Sequence, residues 1–247
     1  MNRRKNIFRI LWKAVKWTAL GLFLLLLAGA VYLYAVAIME PPQPADTACL
    51  QWQRDTLGVH CFTLGKNWLR RSDSGLWELY VEGPPFERGV VNGKLTRELV
   101  IRQEDAFNEQ INLMVPSGAY RHFLKYFIGW FNRHLDENVA DEYREEIYGV
   151  SQSASDQYQY IGSNYQRLMN YHAAHDIGHA LQNMALVGCT SFGAWNGRTA
   201  DSSLLIGRNF DFFVGDKFAE DKIVAFIRPD KGYKFAMITW GGFTGVV

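Results

Sequence analysis

Cys189 follows Gly188 and opens a strand-like run directly after a helical one. A cysteine at the start of a strand, preceded by glycine, is what a self-cleaving nucleophile requires. Its thiol attacks the Gly188 carbonyl, the peptide shifts to a thioester, and water releases a new N-terminus at Cys189. The freed α-amine, with an ordinary pKa of about 7.7–8.0, then serves as general base to its own thiol. The other two cysteines, Cys49 and Cys61, lie close together and are candidates for a short-loop disulfide, which leaves Cys189 as the odd thiol. The plainer reading of any such cysteine is a small buried apolar side chain.

Two charged residues follow at hairpin distance. Arg208 stands 19 residues after Cys189, a separation that fits strand, turn, strand, and Asp211 comes three later. Arg208 and Asp211 are equally readable as a local structural ion pair at a strand edge. A different chemistry is suggested upstream, where His175 and His179 would lie one helical turn apart with Asp176 beside the first, as in zinc hydrolases. That set is short of ligands. No histidine follows His179 and no glutamate lies between His179 and Glu220, so a third ligand is missing; Asp176 is also one methylene shorter than the usual glutamate base. Structural helix histidines are the alternative.

The run Gly188-Cys189-Thr190-Ser191-Phe192, then Thr199-Ala200-Asp201, then Gly207-Arg208-Asn209-Phe210-Asp211 resembles the penicillin acyltransferase family of N-terminal-nucleophile (Ntn) hydrolases. It is more distantly similar to the choloylglycine hydrolases and penicillin V acylases. Glu82 to Gly89 with Gly93 resembles the glycine-rich segment that leads into the first helix of that family's pro-segment, and Tyr171 to His179 resembles the helix before its cleavage site. The resemblance covers roughly residues 75–247.

It implies an α+β fold, the αββα sandwich of Ntn hydrolases, incomplete here. Cys189 would be the nucleophile for both self-cleavage and acyl transfer on a linear amide or thioester. Arg208 would sit beside the thiolate and favour its charge, and Asp211 would hold the new α-amine or orient that arginine. No metal or organic cofactor is implied, and the partner is a small-molecule amide or acyl donor. Only 59 residues run from Cys189 to Val247, fewer than the sandwich needs, and the family's downstream oxyanion asparagine has no counterpart. The shortfall implies a truncated form of such an enzyme, with a non-catalytic membrane-tethered protein as the alternative.

The elements that must position these groups are legible in outline. Trp77, Leu79 and Val81 alternate toward a turn at Gly83-Pro84-Pro85, and Leu95 to Met114 recurs at helical spacing. Tyr120 to Leu135 forms an aromatic helix stripe, read as core-facing with interfacial membrane contact as the alternative. An acidic helix follows over 141–150, and 163–187 is again helical. Cys189–Trp195, Leu204–Phe213, Ile223–Arg228 and Tyr233–Trp240 read as an antiparallel meander beginning at the cysteine.

With 48% hydrophobic residues the chain can bury a sizeable core. Its net charge of +1 hides an asymmetry, because six basic residues precede residue 18 while the remainder is mildly acidic. That leaves no nucleic-acid footprint. From Thr18 to Met39 there are 22 uncharged residues, enough to span a hydrocarbon core of ~30 Å. The basic flank places the N-terminus in the cytoplasm and the rest outside. Ala35-Val36-Ala37 offers the alternative of a cleaved signal peptide and an exported product. The expected organisation is a basic segment over 1–17, an anchor over 18–39, a spacer over 40–74, a mostly helical pro-segment over 75–188, and the start of the catalytic sheet over 189–247.

Overall fold

The computed structural model describes residues 2–174 and 187–245. It is a mixed α+β chain led by one long apolar helix, α1 (Asn2–Val36). Among the described residues, α1 is the helix long and apolar enough to cross a membrane, over Ile7–Val36. From Ile7 to Tyr32 its side chains stand exposed.

Six strands make the main sheet, in the order β1 (Asp55–Gly58), β2 (Cys61–Leu64), β3 (Asn67–Arg71), β4 (Trp77–Gly83), β7 (Ile223–Pro229), β8 (Phe235–Thr239). All neighbours are antiparallel except β4 and β7, which run parallel in the register Trp77↔Ile223 to Gly83↔Pro229. The expected spacer over 40–74 therefore contains three sheet strands. The expected meander is also corrected. Only β5 (Val187–Asn196) and β6 (Ser202–Phe212) pair with each other, as a separate two-stranded ribbon, while β7 and β8 join the main sheet beside β4. The reason lies in alternation: Ile223, Ala225 and Ile227 of β7 carry the same buried apolar face as Trp77, Leu79 and Val81 of β4.

That face is covered by α2 (Pro85–Leu95) and the start of α3 (Arg97–Met114), through Val91, Leu95 and Leu99. Burying each such side chain contributes about 1.5–3 kcal/mol. The opposite face carries a cross-strand row Trp68, Tyr80, Phe226, Ala236, with Phe226 exposed. The predicted helix beginning at Leu95 is divided at Thr96, which is fully buried and ties its hydroxyl to the Asn92 carbonyl.

Three further helices complete the described chain: α4 (Gly118–Phe131), α5 (Asp141–Ser151) and α6 (Asn164–His172). Helices α2 and α5 touch backbone to backbone, because a Cβ on Gly89 would lie 2.0 Å from the Glu146 carbonyl oxygen and one on Gly149 would lie 2.4 Å from that of Phe86. The pair is also pinned by the buried Arg88–Glu146 ion pair at 2.5 Å. A second core joins α3, α5 and α6 to Met39, Val214 and Phe218. Met39 lies three residues beyond the end of α1, so the apolar helix enters the folded body directly.

Candidate functional site

The ribbon β5–β6 carries Cys189, Arg208 and Asp211. Its turn is built by residues that the sequence comparison had grouped with the site. Asp201 accepts from the Ser203 amide at 3.0 Å and the Ser203 hydroxyl at 2.6 Å, and Thr199 donates to the Ser203 carbonyl at 2.8 Å. Asn196 and Ser202 sit at positive φ, the geometry a tight reversal requires. Thr199 and Asp201 thus shape the hairpin, and its register fixes what faces what farther down. In that register Ser191 lies opposite Arg208, Cys189 opposite Phe210, and Gly188 opposite Asp211.

Strand alternation then sorts the side chains. Cys189, Ser191, Arg208 and Phe210 share one face, and Asn209 and Asp211 share the other with Gly188 and Thr190. A terminal nitrogen of the Arg208 guanidinium reaches the Cys189 sulfur at 3.9 Å, and the guanidinium lies over the Phe210 ring at 5.1 Å. The Cys189 side chain is exposed, so the buried-hydrophobe reading fails for this cysteine and fits Cys49 instead. Asp211 accepts from the Asn209 amide nitrogen at 3.0 Å. It does not orient Arg208, and the two do not form a local ion pair, because residues three apart on a strand point to opposite faces. What Asp211 faces is the Gly188 position, the residue before the candidate scissile bond.

The Cys189 end of the ribbon is held by aromatic packing. Phe212 meets Phe107 of α3 and Phe218, Phe210 meets Trp240, and Trp240 meets Phe218. Gly207 has a local role, since a Cβ there would lie 2.3 Å from the Phe192 ring that crosses it. The strand already includes Val187 and Gly188, so the cysteine is not its first residue.

The remaining sequence candidates are placed differently. Cys49 is buried against Phe86 and Val90, whereas Cys61 pairs with Arg70 in β2, and both are free thiols. The Cys49–Cys61 disulfide is therefore not formed: one cysteine belongs to the α2 side and the other to the sheet. His175 and His179 lie outside the described residues. Among the described residues no cluster of metal-ligating side chains occurs. Ser191 and Asn209 stand inside the motif runs but were given no role from the sequence; the register makes them neighbours of Cys189 and Asp211. The period-two spacing from Cys189 and from Asp211 is the signal that would have found them.

No family model matches the chain. It is 27% identical to an uncharacterized protein of Archaeoglobus fulgidus over 186 residues, which is 70% of this chain and 30% of that protein. The chain thus spans less than a third of that relative's length.

Proposed function

We propose that this is a membrane-anchored cysteine hydrolase or acyltransferase of the Ntn type, acting through Cys189. The observation that carries the reading is the Arg208 guanidinium 3.9 Å from an exposed Cys189 sulfur, with Asp211 opposite Gly188. A cation beside a thiol favours the thiolate, the nucleophilic form.

In the processing step the thiol sulfur bonds to the Gly188 carbonyl carbon and the Gly188–Cys189 C–N bond breaks. The thiol proton passes to the departing nitrogen. Water then hydrolyses the thioester, leaving a Gly188 carboxylate and a Cys189 bearing both amine and thiol. Asp211 is on the face from which a carboxylate would receive that new amine. In turnover the same sulfur attacks a linear amide or thioester carbonyl, the amine or thiol leaves with a proton, and the acyl-enzyme passes to water or to an amine acceptor.

Two further features support the reading. The main sheet carries helices on one face and leaves Phe226 and Ile238 exposed on the other, as one α/β half of a four-layer sandwich does. Ala37, just past the end of α1, has its carbonyl bound by Gln166 at 2.5 Å, which seats the end of the apolar helix against the folded body.

Intact-mass analysis of the purified chain beside Cys189→Ala tests the proposal. Scission between Gly188 and Cys189 in the parent alone is the expected result. An unbroken parent under conditions where its fold is intact overturns self-processing and leaves a tethered, non-processing protein.

A further inference from the structure

The helix α4 presents an aromatic stripe that the described residues leave about half exposed. Tyr120, Phe123, Phe127 and Phe131 recur at three- and four-residue spacing, each about half exposed, with Ile128 alongside. The sequence reading favoured a core-facing helix; the structure turns these rings outward. From Val115 to Leu135 there is no acidic residue, while Arg121, Lys125 and Arg133 are all present. Those cations point elsewhere: Lys125 donates to the Tyr160 carbonyl at 2.9 Å and Arg121 to that of Val115 at 2.6 Å.

The position of α4 says what covers the stripe. Gly129, on the opposite side of α4 from Tyr120 by helical periodicity, lies against Ala37, since a Cβ there would be 2.6 Å from the Ala37 Cβ. Ala37 directly follows α1, and two residues later Met39 is already in the core. No flexible linker therefore separates the end of the apolar helix from α4. Wherever α1 leaves the bilayer, the Gly129 end of α4 stands beside it. At 14 residues, α4 is about 21 Å long, too short to cross a membrane but long enough to lie in its surface.

We infer that α4 is an interfacial helix, docked by Tyr120, Phe123, Phe127 and Phe131 into the headgroup and upper acyl region of the bilayer that α1 spans. The occupant is lipid, because the acid-free aromatic stripe belongs to the helix that packs on the end of the apolar α1. Such docking seats the body flat on the membrane. This inference rests on α1 being a retained anchor, as proposed above.

The test reconstitutes the full chain in phosphatidylethanolamine–phosphatidylglycerol vesicles containing a phospholipid with a photoactivatable diazirine in its upper acyl chain. Labelled peptides are mapped by mass spectrometry. Label on both α1 and residues 118–131, with the α4 label lost in Phe123→Ser/Phe127→Ser and none on α5, is the expected result. Label on α1 with α4 unlabelled overturns interfacial docking, leaves the anchor standing and points to a protein partner or second copy on the stripe. Label on α4 without α1 keeps the lipid contact and overturns the anchor. Absence of label from both overturns each.

Discussion

His172 accepts the Thr244 backbone N–H on its Nε2 at 2.9 Å, while its Nδ1 lies 2.7 Å from the Leu168 carbonyl. An N–H can only donate, so Nε2 is unprotonated and the proton sits on Nδ1, which donates to Leu168. The neutral ring thereby joins the end of α6 to the segment after β8, tilted against Phe243 with ring centroids 4.8 Å apart. Burial pushes this imidazole down from 6.5 to about 4, against a smaller opposing effect of the Leu168 bond.

The sign of the pH effect follows. Below about pH 6.5 the unfolded chain takes up a proton that the folded chain refuses until about pH 4. Stability is full above 6.5 and falls as the pH drops through that window, by about 3 kcal/mol in all. Denaturant unfolding of the parent and His172→Gln between pH 4 and 8 checks it: the difference between the two should shrink toward acid. A pH-independent difference would show that His172 does not titrate in this way.

The backbone contact between α2 and α5 leaves no room for a methyl group. Gly89→Ala must push against the Glu146 carbonyl and Gly149→Ala against that of Phe86. Each is expected to cost about 1–3 kcal/mol and lower Tm by several degrees. Gly197→Ala, which meets nothing within 4 Å, is the control and should leave Tm unchanged.

Local pattern made some of this readable and topology hid the rest. Trp77, Leu79 and Val81 alternate, so β4 declared itself, and the acidic helix α5 and the strand runs now seen as β5 and β6 did likewise. The partner of β4 did not, because parallel pairing with β7 joins segments 146 residues apart and leaves no local trace. β1 to β3 were read as spacer because each has only four or five residues and mixed polarity, and their place comes from pairing outward from β4. At the site, the approach of Arg208 to Cys189 was legible from a 19-residue hairpin separation. The face of Asp211 was missed: an ion pair with Arg208 or an orienting role was read from the sequence, although an odd offset on one strand puts the two on opposite sides.

Glu104 and Arg167 form an ion pair at 3.1 Å with both side chains 1% exposed. Glu104 also accepts the Ser155 amide at 2.6 Å, and Arg167 donates to the Ser155 and Gly162 carbonyls. Arg167→Met strands a buried carboxylate and two carbonyls, so it is expected to destabilise by about 3–5 kcal/mol. Adding Glu104→Gln should recover part of that loss, because the remaining amide carries no charge to bury. Urea unfolding of the two single variants and the double closes the cycle; strictly additive losses would show that the pair is not coupled.

Arg208 and Cys189 are exposed, so their contact is worth only what a solvated charge contact is worth. At about 0.5–1 kcal/mol, it should change the reactivity of the thiol two- to fivefold. Arg208→Ala is therefore expected to slow iodoacetamide alkylation of Cys189 at pH 7 by that factor, and 1 M salt should narrow the gap between the variant and the parent. Asp211→Asn supplies the contrast. Its side chain lies on the other face of the ribbon beside Asn209, so alkylation should hardly change, while scission at Gly188–Cys189 should slow if that carboxylate receives the new amine. Following both readouts in the same variants separates the arginine's effect on the sulfur from the aspartate's effect on the nitrogen, and equal effects of the two substitutions on alkylation would contradict the face assignment.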